Sequence, residues 1–274
     1  PEPYDVQHLG DRSVSFRRLT EPEELKVCLV EGLFHEYELK RLLDLCEERQ
    51  GFQPSLQKDR RGQVVQDGRR TSQSCAMRWP LLGDCVDEVE LRYAQQATER
   101  CAAVLGLQAE YIEPLQLVKY TPGQYYRQHL DTHQEPERLG SFNGEQRTQT
   151  LLVFVSSVPE SDGGGHLHFP LLELRILPKA GTAVLWDNCK PKHGTDMLEP
   201  DPCSLHEGEP PLHVNKVAMN VWIVDRPFTR QAVEEAALRR SGYAKAEDAL
   251  KESILGEKIG VCTSSRIGAP LVHD

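Results

Sequence analysis

From Tyr111 to Val224 the apolar residues come in short runs separated by Gly, Pro and Asp clusters. The runs are LQLVKY at 115–120, TLLVFVSS at 150–157, GHLHFP at 165–170, LELRILP at 172–178, GTAVLW at 181–186 and KVAMNVWIV at 216–224. Many short strands punctuated by turn residues predict a barrel or a double-sheet jelly roll, a shape whose mouth can hold a small ligand. Upstream, the apolar and β-branched run Leu25–Phe34 predicts a further strand. Leu39, Leu42, Leu43 and Cys46 then recur at three- and four-residue steps between His35 and Arg49, which places them on one face of a helix that Gly51 stops. Val86, Val89, Tyr93, Ala97, Cys101 and Val104 mark a second helix over Asp84–Leu105, ended by Gly106. The expected fold is mainly β with flanking helices.

The remaining segments frame this pattern. Residues 1–24 read as an N-terminal arm, because residues 1–20 are polar and carry no clear period. Gln50–Arg70, rich in Gln, Lys, Arg, Asp and Gly, has the composition of a mobile loop. Residues 227–274 read as a charged, Ala-rich C-terminal tail with a helix over Thr229–Arg239. Between arm and tail, 25–226 reads as one domain, with helical support in 35–106 and the β core in 111–226. A single unit suits a chain of 274 residues, and no internal repeat or low-complexity tract interrupts it.

Charge narrows the function classes. A net charge of −10 and a pI near 5.5 argue against a sequence-independent nucleic-acid binder, which needs a basic surface to neutralise phosphates. The local exception, Lys58–Arg61 with Arg69 and Arg70, reads as a solvated loop. No apolar stretch reaches the roughly 20 residues of a membrane span, and the first residues lack a basic-then-apolar signal segment. The chain starts at Pro1, so compartment stays open between the cytoplasm and the endoplasmic reticulum lumen, and oligomeric state is equally open. The eight cysteines (28, 46, 75, 85, 101, 189, 203 and 262) show no CxxC pair and no zinc-like spacing. Most read as small buried hydrophobes or surface thiols; if the chain is secreted, Cys189 and Cys203 are the first disulfide pair to check.

One short motif carries chemistry. His129 and Asp131 lie two apart in QHLDTH, after a Gly-containing turn. In a strand, residues i and i+2 share a face, so the pair would present an imidazole and a carboxylate to one point. A histidine from a distant strand, as third ligand, would complete the two-histidine, one-carboxylate face that leaves adjacent iron positions open. His193, His206 and His213 are all candidates. Lys216 stands ten residues after His206 and opens an apolar strand, where the ordinary behaviour of a lysine is to snorkel to solvent.

At this point the chain resembles the prolyl 4-hydroxylase family of Fe(II)/2-oxoglutarate-dependent dioxygenases. The matching residues occur in the family's order: Tyr120, Gly123, Tyr126, His129 and Asp131; Arg147 and Thr150; Gly164, Gly165, Phe169 and Pro170; Pro178, Gly181, Ala183 and Trp186; Ser204, Leu205, His206, Lys216 and Trp222. The resemblance covers about residues 25–226 and takes in Arg70-Thr71-Ser72. It implies a double-stranded β-helix (jelly-roll) core with N-terminal helices packed on one sheet. It also implies that His129, Asp131 and His206 hold Fe(II), that Lys216 receives the far carboxylate of 2-oxoglutarate, and that Tyr120 and Thr150 hydrogen-bond the same cosubstrate. Tyr126, Arg147 and Trp222 would line the substrate side, with the Arg147 fork on a peptide carbonyl. The segments Gln50–Ser72 and Thr132–Glu145 would close over the substrate. O2 and ascorbate complete the implied set.

The implied reaction is hydroxylation, most readily 4-hydroxylation of a prolyl residue in a peptide or protein, with decarboxylation of 2-oxoglutarate to succinate and CO2. Asp131 argues for hydroxylation, since related halogenases replace that carboxylate with a small residue. Lys216 rather than Arg groups the chain with collagen- and plant-type members and apart from the hypoxia type. His166 and Leu167 depart from the Glu and Thr common at those positions, and His166 with His168 offers a rival metal-binding pair. Two other readings stay open: a hydroxylase of a free amino acid or small natural product, and a non-catalytic 2-oxoglutarate-binding module.

Overall fold

The computed structural model describes residues 5–49, 51–58, 64–65, 68–77, 88–132, 145–195 and 197–227. Its strands and helices, in chain order, are β1 (Asp5–Leu9), β2 (Arg12–Arg18), β3 (Val27–Glu31), α1 (Glu36–Arg49), β4 (Gln53–Pro54), β5 (Gln57–Lys58), β6 (Val64–Val65), β7 (Gln73–Ala76) and α2 (Glu88–Leu105). They continue with β8 (Gln116–Tyr120), β9 (Tyr126–His129), β10 (Arg147–Phe154), β11 (Leu167–Phe169), β12 (Leu174–Ile176), β13 (Ala183–Asp187), β14 (Cys189–Pro191), β15 (Leu198–Pro200), β16 (His206–Gly208) and β17 (Lys216–Val224).

Two antiparallel sheets make the roll. The nine-stranded sheet runs β1-β2-β3-β13-β10-β17-β8-β7-β4, and the four-stranded sheet runs β12-β11-β16-β9. Strands β8, β10, β13 and β17 of the large sheet alternate along the chain with β9, β11, β12 and β16 of the small one. That crossing between layers is the jelly-roll pattern the spacing of the apolar runs predicts, with β17 matching its predicted limits to the residue.

The period of two in β17 explains why it is apolar almost throughout. Val217, Met219, Val221 and Ile223 belong to the core between the large sheet and the helices, together with Leu39, Leu42, Leu45 and Cys46 of α1 and Ala94, Ala97 and Cys101 of α2. Lys216, Ala218, Asn220 and Trp222 point the other way, into a cavity inside the roll. A second apolar cluster, built on Phe154, Phe169, Val184 and Trp186, fills the rest of that interior. The large sheet is therefore buried on both faces, which erases the polar alternation of a half-exposed strand.

Three expectations need correction. Residues 5–18, read as part of an arm, form the β1–β2 hairpin that extends the large sheet through β3. Only Val14 on it is fully buried, so backbone pairing holds the hairpin and no apolar period betrays it. The polar stretch 50–72 contributes β4, beside β7, to the large sheet, and Arg70 is only 6% exposed, so it belongs to no basic surface patch. Cys189 and Cys203 are both free thiols; the Cys189 sulfur is turned to the Arg147 carbonyl at 3.7 Å. The predicted helix over Thr229–Arg239, most of Thr132–Glu145, Cys85 and Cys262 lie outside the described residues. Among the described residues no helix is long and apolar enough to cross a membrane.

Gly32 shows how closely the hairpin docks. Its φ is +82°, and a Cβ there would sit 2.3 Å from the Ser13 carbonyl oxygen. Gly32→Ala is expected to destabilise the fold by about 1–3 kcal/mol, read as a lower midpoint in urea unfolding with an unchanged slope.

Candidate active site

β9 and β16 are antiparallel neighbours in the small sheet, and their register sets His129 directly opposite His206. The two rings lie 4.2 Å apart between centroids, tilted by 57°. Asp131 follows two residues after His129 but past the end of β9, so the simple same-face argument for an HxD pair within one strand does not describe it. Its carboxylate instead docks on the large sheet. Thr150 donates its hydroxyl to Asp131 Oδ2 at 2.7 Å, and the Trp222 indole N–H donates to the same oxygen at 3.1 Å. These two donors are cross-strand partners on β10 and β17. The Thr150 hydroxyl is itself fixed by Asn188, whose Nδ2 donates to it at 2.8 Å.

The hydrogen bonds of the imidazoles define which nitrogens are free. His129 Nδ1 lies 2.8 Å from the Arg127 carbonyl, and His206 Nδ1 lies 2.8 Å from the Ser204 carbonyl. A carbonyl only accepts, so both Nδ1 atoms carry the proton and both Nε2 atoms present lone pairs. Those lone pairs point at the carboxylate: His129 Nε2 is 3.6 Å from Asp131 Oδ1 and His206 Nε2 is 3.9 Å from Oδ2. Burial, then the neighbouring His206, push the His129 pKa well below its ordinary value, which keeps the ring in its ligating form. Burial alone would raise Asp131, but the surrounding imidazoles, Arg147 and the Thr150 hydroxyl outweigh it and hold the carboxyl at about 2.

Aromatic contacts clamp the rings in place. Tyr126 stacks on His129 with centroids 3.4 Å apart and planes within 14° of parallel. The Arg70 guanidinium covers the Tyr126 ring at 4.7 Å. It is anchored through Nε to the Ser72 hydroxyl at 3.0 Å and through Nη2 to Gln116 at 3.2 Å. On the other side, Trp186 meets His206 edge-on at 4.8 Å.

The three donor groups open into a small cavity, partly continuous with solvent, that Tyr120 and Lys216 also line. Lys216 is 2% exposed, so it does not snorkel. Its ammonium donates to the His166 carbonyl at 3.3 Å and lies 5.1 Å from the centre of the Tyr120 ring. Burial brings its pKa down to about 7, with the charge of Glu209 opposing the shift. Burial also raises the Tyr120 phenol, against the charge of Arg70 and a hydrogen bond from Ser72.

Several residues expected to meet cosubstrate or substrate also have partners within the protein, though Trp222 still lines the cavity. Thr150 and Trp222 spend their donors on Asp131. Arg147 uses Nε and Nη2 on Glu113, at 2.7 and 2.8 Å, and lies flat over the Trp222 ring at 3.5 Å. Its fork is thus occupied by a buried carboxylate. His193 and His213 are exposed, leaving His206 as the third member of the cluster with His129 and Asp131. Sequence reasoning missed Glu113 and Asn188. Glu113, an acid within the apolar run YIEPLQLV, was the more visible of the two.

Residues 115–224 match the family model of the 2OG-Fe(II) oxygenase superfamily. That stretch, which holds the β core and the site, is similar to this superfamily. Members of the superfamily work with Fe(II), 2-oxoglutarate and O2, and the donor set just described, two imidazoles with Nε2 turned to one carboxylate, suits such an ion. The chain is similar to the prolyl 4-hydroxylase subunit alpha-1 of Gallus gallus, 32% identical over 129 residues, which are 46% of this chain and 23% of that protein. It is also 30% identical over 207 residues to the transmembrane prolyl 4-hydroxylase of Homo sapiens, covering 60% of this chain and 40% of that one. The chain thus spans less than half the length of these curated relatives. The crystal structure of the viral collagen prolyl hydroxylase of Paramecium Bursaria Chlorella virus-1 in complex with 2OG shares the fold. It has a TM-score of 0.51 and 21% identity, over 72% of this chain and 95% of that one.

The pair of Arg147 and Glu113 makes a stability test. Glu113→Ala leaves a buried guanidinium without its carboxylate, and the expected cost is about 3–5 kcal/mol, measured by denaturant unfolding.

Proposed function

We propose that the cavity is the active site of a 2-oxoglutarate-dependent dioxygenase that hydroxylates a prolyl residue, at C4, in a peptide or protein. One observation carries the reading: two imidazole lone pairs and a carboxylate converge in the same cavity that buries the Lys216 ammonium. In this reading His129, Asp131 and His206 hold Fe(II), and Lys216 takes the far carboxylate of 2-oxoglutarate beside the Tyr120 hydroxyl. Bound iron with its cosubstrate supplies O2 activation, in which 2-oxoglutarate gives succinate and CO2 and one oxygen atom enters a C–H bond.

The protein's own residues supply position. Thr150 and Trp222 fix the rotamer of Asp131, and the two backbone carbonyls fix the imidazole tautomers, so the donors need no rearrangement to bind an ion. Lys216 repays the desolvation of a dicarboxylate drawn into an apolar cavity. Tyr126 and Trp222 line the cavity wall, where the prolyl side chain would enter. The reading assigns ascorbate the task of keeping the iron ferrous. The curated relatives named prolyl 4-hydroxylase support the prolyl substrate.

The test is succinate formation with Fe(II), ascorbate and 2-oxoglutarate, with and without proline-rich peptides. A peptide-dependent rise with one oxygen gained on proline is the expected result. Succinate that no peptide stimulates would overturn the prolyl assignment, and absent 2-oxoglutarate binding would overturn the whole reading. His206→Ala and Asp131→Ala are each expected to bring turnover to background while circular dichroism stays unchanged. Lys216→Ala removes one partner of a buried charge pair, a loss of about 2 kcal/mol or more, so the KM for 2-oxoglutarate should rise about 30-fold or more.

A pH signature accompanies Lys216. With a pKa near 7 in the free protein, the amine is mostly neutral at pH 8 and must take up a proton to meet the dicarboxylate. Anaerobic calorimetry in buffers of different ionisation heat should therefore show proton uptake on 2-oxoglutarate binding at pH 8, with affinity falling as pH rises above 7.

A further inference from the structure

The small sheet carries a second cluster of donors on its outer face. β11 and β16 pair with Leu167 opposite Gly208 and His168 opposite Glu207. Leu167, Phe169, His206 and Gly208 face the interior of the roll, so His168 and Glu207 face out. The next outward positions are His166 on one side and Glu209 on the other, where the Glu209 N–H donates to the His166 carbonyl at 2.9 Å and continues the ladder. His-x-His thus lies against Glu-x-Glu across an antiparallel pair, with all four side chains on one face.

We propose that His168, Glu207 and Glu209 form a binding site for a divalent transition metal, zinc above all, separate from the cavity inside the roll; their ligand atoms lie within 4.8 Å of one another. His168 Nδ1 is 2.8 Å from Glu207 Oε1 and 3.7 Å from Glu209 Oε1, while His166 pairs with the other oxygen of Glu209 at 3.2 Å, beside the site. Zinc bonds of about 2.0–2.1 Å to nitrogen and oxygen in a tetrahedron put neighbouring donors about 3.3 Å apart, in the middle of the range spanned by His168 and the two carboxylates. The mixed set of one imidazole and two carboxylates favours zinc over magnesium or calcium, which prefer oxygen alone.

The surroundings fit a cation. The four side chains are 17–25% exposed, shielded yet open to solvent. Arg175 pairs with both oxygens of Glu209, at 3.0 and 2.5 Å, and its Nη2 is 3.5 Å from His166 Nδ1. A carboxylate has about four lone-pair sites, so a guanidinium on Glu209 leaves room for an ion. Two carboxylates against one guanidinium leave a negative charge that Lys216, directed to the inner cavity, meets only at a distance.

Equilibrium dialysis of the full chain against Zn²⁺ tests the site. His168→Ala and Glu207→Gln should each remove one bound equivalent, with outer-site affinity down at least about 100-fold. The same loss is expected in a His206→Ala background, where the inner cluster is broken. Glu207→Gln keeps the size of the side chain, and an unchanged melting curve without metal would show that the fold is intact. In the His206→Ala background, Co²⁺ absorption from the outer site should disappear in both variants. Unchanged zinc stoichiometry in both would overturn the proposal and reduce the cluster to a cross-strand ion-pair network, leaving the proposed function of the inner cavity untouched.

Discussion

Two imidazole lone pairs and a carboxylate face one another across less than 4 Å, with every available ring proton turned away to a backbone carbonyl. Such an arrangement is repulsive within a protein interior unless a cation sits among the donors. Much of the surrounding structure serves to hold this unfavourable geometry. The register of β9 against β16 sets the histidines opposite each other, and the cross-strand pair Thr150 and Trp222 pins the carboxylate. Tyr126, Arg70 and Trp186 then leave the rings nowhere to rotate.

Lys216 is a second group kept against its preference. An ammonium 2% exposed with its pKa near 7 is costly to the fold, and a satisfied salt bridge would have made it inert. It stays reachable because its neighbours are a ring face and a carbonyl oxygen. Neither of these neutralises it. The cavity therefore presents a cluster that attracts a cation and a cation that attracts an anion, which is the polarity required to orient a ketodiacid.

The fold was legible wherever burial imposed a period. β17 and both helices stood out because one face of each packs in the core between sheet and helices, and β10 and β13 showed as apolar runs. The β1–β2 hairpin did not, because Val14 is its sole fully buried residue; nor did β14, β15 and β16, three residues each and partly exposed. The His129, Asp131, His206 and Lys216 cluster was legible through spacing and resemblance. The tasks of Thr150, Trp222 and Arg147 were not, since they depend on cross-strand register and on Glu113, 34 residues away from Arg147. A motif names which side chains gather at a site. It does not say which of them touch the ligand and which hold the others.

Asp131 belongs by chain to the loop after β9 in the small sheet, yet its carboxylate hangs from β10 and β17 in the large one. The two layers are stitched at that oxygen. Widening of the roll at this end would have to break both bonds to a buried carboxylate. Breathing is consequently confined to other parts of the rim, and an incoming ion meets a socket whose shape is already set, losing little entropy as it seats.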